Sequence, residues 1–174
     1  MFANKYFYFG DEYDLTNSLQ AFINANCSMK NKRLSYMYNS DWVDDFVKIK
    51  AYEWITGFIS GFVVINFTHT GVNNSCEIAL VSRRDKRRQG KRWITRGCDF
   101  DGYSANTAET ELVFLTENGG KENVFSHVQL RGSMPFFWTQ DPDLKWDPKV
   151  NIHGNDKLNL EVAKKNYDDI KENY

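Results

Sequence analysis

The residue pattern with the most direct chemical meaning is Cys27 followed by Arg33, a Cys-x5-Arg spacing. A cysteine thiolate in such a loop can attack phosphorus, while backbone amides and the arginine hold the phosphate oxygens. Here the intervening residues are Ser-Met-Lys-Asn-Lys, without the glycine typical of such loops, and no buried strand is predicted before them. We therefore interpret the spacing as coincidental and predict no catalytic residue in this chain.

A second chemical feature is the basic stretch 83–92, in which seven of ten residues are positively charged and only Asp85 is negative. Three interpretations are open: a solvated hairpin tip, a cationic wall that attracts anionic lipid head groups, or a nucleic-acid-binding or nuclear-import segment. Aromatic residues do not interleave the stretch, which weakens the case for single-stranded nucleic acid. Residues 93–95 are predicted to form the return strand of the hairpin.

Glu109 and Glu111 alternate, so both side chains should face one side of a strand. They could pair with Arg96 or Arg131, or be solvated. We favour an ion pair that fixes the local hairpin over a catalytic acid.

Metal chemistry has little support in the sequence. Asp99-Phe-Asp101-Gly102 has a faint likeness to a calcium loop, but glycine and alanine stand at the first and last ligand positions. We interpret it as a turn whose carboxylates accept local backbone donors. The three histidines are widely separated. We predict no metal and no cofactor.

Hydrophobic spacing predicts the elements that must position these residues. Asp14 is expected to cap the first helix, and the first strand is expected to be buried. Residues 97–106 should be a turn-rich loop and 141–156 an extended one. The predicted strands are 6–9, 57–65, 78–81, 112–115, 123–131 and 134–140, and the predicted helices are 15–26, 41–55 and 158–170.

The strand predicted at 134–140 holds three adjacent aromatics, Phe136, Phe137 and Trp138. Three in a row are too many for a strand with one wet face. The run should be buried on both faces or face a partner, and we favour a place in the core.

Three strings in order resemble a known family. Residues 96–106 read Arg-Gly-x-Asp-x-x-Gly-x-x-Ala-Asn, residues 109–111 read Glu-Thr-Glu, and residues 128–140 read Val-Gln-x-Arg-Gly-Ser-x-Pro-x-Phe-Trp-x-Gln. This is similar to the signature of Sac-domain phosphoinositide phosphatases, the family that includes the Sac parts of the synaptojanins. Tyr13 to Gln20 match the family's Tyr-Asp-Leu-Thr-x-Ser-Leu-Gln element at every fixed place.

The resemblance implies an α+β fold with a mixed, largely antiparallel sheet and flanking helices. It implies that residues 1–174 are part of a Sac domain, with about 1–67 ending the N-terminal subdomain and about 68–174 starting the catalytic one. The family's nucleophile loop would follow well after the last helix seen here.

The resemblance also bears on substrate binding. Arg88-x-Gly90-x-Arg92 stands where the family has Arg-Ala-Gly-Thr-Arg, so Arg88, Gly90 and Arg92 match. Arg88 and Arg92, with the neighbouring Lys91, form a cationic wall and are the candidate substrate-binding residues. The implied partners are phosphoinositide lipids and the anionic surface of a membrane. The implied chemistry runs through a cysteinyl-phosphate intermediate without an obligatory metal.

Composition limits the remaining choices. The chain has 174 residues and a net charge of −1, so no global field favours nucleic acid. Three widely spaced cysteines fit neither a disulfide framework nor a zinc site, which favours a cytoplasmic setting. No apolar run approaches the roughly 20 residues that span a bilayer, and no signal peptide is evident.

Two functions from different classes, and a third, follow from these observations. The first is a fragment of a phosphoinositide phosphatase, peripheral on cytosolic membrane faces and inactive alone. The second is a non-catalytic module that binds phosphoinositides or anionic membranes. The third, a nucleic-acid-binding module, is not expected.

Overall fold

The computed structural model describes residues 6–10, 13–24, 34–69, 75–91, 94–118 and 121–173. The chain divides into two compact units. The first comprises Met1–Lys86 and Glu109–Gln129, and the second comprises Arg87–Ala108 and Leu130–Tyr174. The expected subdomain boundary near residue 67 concerns a longer domain and stays a prediction.

The first unit is built on a five-stranded sheet whose strands are neighbours in chain order. The pairing of the first strand with the second, and of the second with the third, is antiparallel. The strands predicted at 78–81, 112–115 and 123–131 are confirmed, and each is part of a longer strand. The strand predicted at 57–65 is confirmed from Ile59 onward and extends to His69. The strands are β1 (Phe7–Tyr8), β2 (Ile59–His69), β3 (Ser75–Arg84), β4 (Ala108–Asn118) and β5 (Lys121–Arg131).

β-Branched residues supply much of the buried apolar surface of the sheet, as their preference for strands predicts. Ile59 on β2, Val81 on β3 and Val113 on β4 are all buried. Tyr36 and Met37, which precede the second helix, are buried as well. Since Tyr36 and Met37 belong to the same unit as the strands, the unit has a core of its own.

The expectation that 6–9 forms a buried strand is wrong in its burial. β1 has only two residues and lies at the edge of the sheet, where it has one neighbouring strand. Phe7 and Phe9 are 54% and 59% exposed. The edge of the sheet is therefore an aromatic surface.

Among the described residues of this unit, two α-helices and one short 3-10 turn accompany the sheet. They are α1 (Leu19–Asn24), α2 (Ser40–Lys48) and the 3-10 turn Tyr52–Trp54. The helix predicted at 41–55 thus ends early, because Lys50 has a positive φ of 59° and interrupts the helical backbone. The helix predicted at 15–26 is confirmed only in part, and its last two residues lie outside the described ones.

Asp14 does not cap α1. Its carboxylate accepts hydrogen bonds from the backbone N–H of Thr16 at 3.1 Å and from Nδ2 of Asn17 at 2.9 Å, so it holds the turn before the helix. The helix begins later, and Oγ of Ser18 accepts the N–H of Ala21 at 3.3 Å. Ser18 is therefore the capping residue.

The second unit contains a two-stranded antiparallel sheet and one long helix. They are β6 (Trp138–Gln140), β7 (Val150–Ile152) and α3 (Asp156–Asn173), with Trp138 opposite Ile152. Oδ1 of Asn155 accepts the N–H of Leu158 at 2.9 Å and caps α3. The helix predicted at 158–170 is confirmed, whereas the loop predicted at 141–156 is wrong where β7 forms.

The strand predicted at 134–140 also differs from its prediction. Only residues 138–140 form a strand. Phe136, Phe137 and Trp138 are half-buried rather than buried on both faces. The physical reason is that the backbone at Phe136 pairs with a loop, since its carbonyl accepts the N–H of Cys98 at 3.0 Å. The fold class, α+β with a largely antiparallel sheet and flanking helices, is confirmed.

Candidate functional site

The most buried charges of the chain form one cluster in the first unit. Arg83 on β3 donates from Nη1 to Oε1 of Glu109 and, at 2.9 Å, from Nη2 to Oε2 of Glu111, both on β4. All three side chains are fully buried. Opposite Arg83, Gly61 allows β2 to come close, because a Cβ there would lie 1.8 Å from the carbonyl oxygen of Ser82.

These contacts correct two expectations. The carboxylates do face one side of a strand and do form ion pairs, but the partner is Arg83, not Arg96 or Arg131, and neither carboxylate is solvated. The basic stretch therefore begins inside a sheet. Burial opposes the charge on Arg83, but Glu109 and Glu111 outweigh it and raise its pKa.

Glu111 also connects the sheet to α1. Its Oε1 accepts the backbone N–H of Leu19 at 2.7 Å and the hydroxyl of Ser126 at 2.6 Å. Burial, followed by the charge of Glu111, raises the pKa of the Tyr13 phenol far above its usual value. The cluster joins β3, β4, β5 and the first helix, so its position indicates a structural role.

The hairpin predicted for 83–95 is wrong. The neighbours of β3 in the sheet are β2 and β4, and residues 94–95 lie in a turn rather than a return strand. Lys86 donates to the hydroxyl of Ser40 and, at 2.8 Å, to Oδ1 of Asp41. Its charge is therefore not free.

Arg87, in the second unit, is engaged as well. Its guanidinium donates to both carboxylate oxygens of Asp169 on α3, at 3.0 and 3.1 Å. It also lies 4.0 Å from the ring centroid of Tyr103. This bidentate, stacked geometry is the strongest kind of pairing that arginine makes with a carboxylate, and it attaches the helix to the segment after β3.

The three predicted substrate-binding residues fall into different situations. Arg88 is half-buried and donates from Nη2 to the carbonyl of Arg96 at 3.1 Å. Lys91 is exposed. Within the described part of the chain neither has a carboxylate partner, and Arg92 lies outside the described residues. Their role in binding stays a prediction.

The motif loop 96–106 is held by hydrogen bonds to the segment 131–140. Gly97 donates its N–H to Oγ of Ser133 at 2.9 Å, and Ser133 donates its own N–H to the carbonyl of Ala105 at 2.9 Å. Gly97 has a φ of 68°, and a Cβ there would lie 2.6 Å from the carbonyl oxygen of Phe136. The glycine is thus required both by its backbone angle and by the close approach.

Asn106 connects the same loop to the segment around Arg88. Its Oδ1 accepts the N–H of Gly90 at 3.1 Å, its Nδ2 donates to the carbonyl of Thr95 at 3.1 Å, and its N–H donates to the carbonyl of Arg88. The described parts of three strings that resemble a family, 88–91, 96–106 and 131–140, therefore lie together in the second unit. The sequence identified Ser133 and Asn106 only as conserved-type positions within the family strings. It did not predict the hydrogen bonds by which they connect those strings.

The described cysteines offer no activated nucleophile. Cys76 and Cys98 are both buried. Burial raises the pKa of the Cys98 thiol, and the positive charge of Arg88 only partly opposes this. A thiol attacks as its thiolate, so a raised pKa disfavours attack. Cys27 lies outside the described residues.

The described ranges contain no cluster of three or more metal-ligating side chains. Among the same residues, no helix is long and apolar enough to cross a membrane.

Comparison with known proteins agrees with the motif strings. The SacI homology domain family matches residues 1–174. A relative from Saccharomyces cerevisiae, phosphatidylinositol-3-phosphatase SAC1, is 35% identical over 180 residues, which cover 98% of this chain and 28% of that protein. A zebrafish relative, phosphatidylinositol-3-phosphatase SAC1-B, is 33% identical over 154 residues, which cover 84% of this chain and 25% of that protein.

An Arabidopsis relative, phosphoinositide phosphatase SAC7, is 32% identical and is matched by 96% of this chain. The chain spans about a quarter of the length of the curated relatives it matches. Because the family match covers residues 1–174, the assignment does not rest on a short motif. The chain belongs to the SacI homology domain family.

Proposed function

We propose that this chain is part of a phosphoinositide phosphatase, which removes a phosphate from the inositol ring of membrane phosphatidylinositol phosphates. The names of the relatives support this substrate class. The proposal places the protein peripherally on the cytosolic face of a membrane. It also assigns residues from about 68 onward to the start of the catalytic subdomain.

The observation that carries the proposal is how the basic stretch is divided. Arg83, Lys86 and Arg87 are neutralised by carboxylates, whereas Arg88 and Lys91 have no carboxylate partner among the described residues. Exposed cations such as Arg84 and Lys91 need no such partner, because water solvates them. Arg88 is half-buried and stands at a position that the family resemblance matches, so its guanidinium is the one that best suits an external anion.

Arg88 and Lys91 would play different parts. The Arg88 guanidinium is held in place by its bond to the Arg96 carbonyl, and a fixed guanidinium suits the oxygens of a phosphate. Lys91 is an exposed point charge, which would attract an anionic head group without choosing between ring positions. The nucleophile would come from residues other than the described Cys76 and Cys98.

The test is phosphate release from vesicles that contain a phosphatidylinositol monophosphate, measured with the product of the complete reading frame that holds this chain. We expect release, and we expect Arg88→Gln to reduce it. The 174 residues alone should release none. Release by the short chain that disappears in Cys27→Ser would show that the rejected Cys-x5-Arg spacing is the nucleophile after all.

A second candidate is a non-catalytic module that binds phosphoinositides or anionic membranes, which needs exposed cations such as Lys91 but no nucleophile. It predicts that the complete protein binds such vesicles but releases no phosphate. Co-sedimentation run beside the release assay separates the two functions. A salt-dependent nucleic-acid titration under the same conditions should show no specific binding.

A further inference from the structure

The first unit contains an open pocket of about 430 Å³ that belongs to neither the Arg83 cluster nor the motif loop. Its volume is within the roughly 300–1,000 Å³ of small-molecule sites. Four aromatic side chains, one amide and one carboxylate line it: Phe7, Tyr38, Asn39, Asp41, Trp42 and Phe58.

Several elements build the walls of this pocket. The rings of Phe7 and Tyr38 meet edge to face, with centroids 5.6 Å apart and an interplanar angle of 69°. Tyr38 donates its N–H to the carbonyl of Phe58 at 2.8 Å, and Phe58 donates its N–H to Oδ1 of Asn39 at 2.9 Å. These bonds fix the aromatic walls against the entry to β2, while Trp42 projects from the first turn of α2.

Such walls attract a cation. The faces of aromatic rings carry negative charge density and bind a cation within about 6 Å of the centroid, with tryptophan the best of the three ring types. Asp41 adds a carboxylate whose Oδ1 is paired with Lys86 but whose side chain is 83% exposed. The pocket therefore combines four aromatic side chains with one accessible carboxylate.

The hydrogen-bonding groups of the pocket decide which cation fits. Asn39 is already engaged, because its Oδ1 accepts the N–H of Phe58 and its Nδ2 donates to the carbonyl of Thr56 at 2.7 Å. Oδ1 of Asp41 accepts from Lys86. Apart from Asp41 and the Tyr38 hydroxyl, the lining offers no uncommitted acceptor for the three N–H donors of a primary ammonium. A quaternary ammonium has no N–H and needs none.

We infer that the pocket lined by Phe7, Tyr38, Trp42, Phe58 and Asp41 binds a quaternary ammonium group of the kind that choline and phosphocholine lipids carry. This inference rests on the pocket alone and does not depend on the proposed phosphatase function.

The first experiment titrates choline and tetramethylammonium into the complete protein by calorimetry, beside the neutral tert-butyl analogue of choline. The analogue has the same shape but no charge. We expect saturable binding of both cations and at least about fivefold weaker binding of the analogue. Equal binding of choline and its analogue would identify a merely apolar groove and overturn the inference.

Matched variants locate the binding. Trp42 and Trp54 are both 72% exposed, but only Trp42 lines the pocket. Because neither indole is buried, Trp42→Ala and Trp54→Ala should both fold. We expect Trp42→Ala to weaken choline binding about fivefold or more and Trp54→Ala to leave it unchanged. Equal losses in the two variants would contradict the site.

A second pair tests the carboxylate. Asp41 and Asp45 both lie on α2, both have side chains 83% exposed, and both pair with a lysine. Asp41→Asn should weaken choline binding, and Asp45→Asn should not. Lys86→Met should strengthen it, because the competing ammonium is removed. No change in both Asp41→Asn and Lys86→Met would exclude a role for the carboxylate and overturn that part of the inference.

Vesicles distinguish the two sources of the group. Co-sedimentation with phosphatidylcholine vesicles, and its reversal by free choline, would indicate a lipid head group. Binding of free choline without vesicle binding would indicate a soluble ligand. Both outcomes support the site, and failure of both choline and phosphatidylcholine vesicles to bind would overturn it, whatever the phosphatase assay gives.

Discussion

Arg83 and Glu111 face each other across neighbouring strands with Nη2 and Oε2 2.9 Å apart, and both side chains are fully buried. Glu109 engages the other end of the same guanidinium. One positive charge thus serves two carboxylates. Burying charges is costly unless each has a partner with good geometry.

Arg83→Met should severely destabilise the protein, because it removes the positive charge that two buried carboxylates share. Breaking a buried pair typically costs about 3–5 kcal/mol, a large share of a usual stability of roughly 5–15 kcal/mol. Urea unfolding followed by circular dichroism measures it. The next residue provides the control, since Arg84 is exposed and Arg84→Met should cost less than about 0.5 kcal/mol. Similar losses in both variants would mean that Arg83 is not neutralised by the two carboxylates.

The sequence predicted the strand that carries Glu109 and Glu111 and the common side of their side chains, because alternation is a local property. It could not identify Arg83 as their partner, because that pairing depends on the position of β3 beside β4. Arg83 stands first in a run of positive charges, and such a run is ordinarily interpreted as solvated. Arg83 and Arg84 both lie on β3, whose alternation buries the first and exposes the second. The predicted strand ended at residue 81 and so left Arg83 outside it.

Arg87 and Asp169 should show strong coupling in a double-mutant cycle. The pair is bidentate and the guanidinium stacks on Tyr103, so we expect a coupling free energy of about 1 kcal/mol or more. Arg87→Ala, Asp169→Ala and the double variant would be compared by urea unfolding. The control cycle uses Glu161 and Lys165, an exposed i,i+4 pair on the same helix, for which about 0.3–0.5 kcal/mol is expected. Equal coupling in the two cycles would refute a special role for Arg87.

Gly97→Ala should be more damaging than Gly154→Ala, although both glycines have positive φ values of 68° and 75°. An alanine at either position pays the cost of the left-handed backbone, about 1–2 kcal/mol. At Gly97 the new Cβ would also lie 2.6 Å from a backbone oxygen, whereas at Gly154 the nearest atom is a leucine methyl at 3.3 Å. Overpacking adds about 1–3 kcal/mol. Equal losses of melting temperature in the two variants would contradict the close approach of the Phe136 carbonyl oxygen to Gly97.

The motif strings were readable from the sequence, but their mutual arrangement was not. Gly97 and Ser133 are 36 positions apart. No local sequence pattern predicts that the hydroxyl of Ser133 accepts a hydrogen bond from the backbone N–H of Gly97. The aromatic run failed for a related reason. Its strand propensity is real, yet the backbone at Phe136 is paired with the motif loop, so only three residues continue as strand.

Asp41 should titrate at a higher pH in Lys86→Met than in the native protein. Hydrogen bonding and charge from Lys86 hold the pKa of the Asp41 carboxyl below its usual value. Since the folded pKa lies below the unfolded one, the pair stabilises the fold above the unfolded pKa, and this contribution is lost as the pH falls through the folded pKa. Carboxyl-detected NMR titration measures the shift. Lys48→Met, which removes the partner of Asp45 instead, should leave the pKa of Asp41 unchanged. A larger rise in the Asp41 pKa in Lys48→Met than in Lys86→Met would contradict the pairing of Asp41 with Lys86.

Lys91 should affect how the complete protein engages lipid rather than how it folds. The side chain is exposed and has no ion pair among the described residues, so Lys91→Gln should leave the melting temperature unchanged. A basic residue near an anionic surface contributes on the order of 1 kcal/mol, which is about fivefold in affinity. We therefore expect the KM for vesicles that contain phosphatidylinositol monophosphate to rise about two- to fivefold with kcat unchanged. The difference should fade at high salt, because the Debye length falls from about 8 Å to about 3 Å.

Lys164→Gln, at an exposed position on α3, is the control and should change neither constant. An equal rise in KM for Lys164→Gln would mean that general charge, and not the position of Lys91 beside Arg88, governs attraction to the membrane.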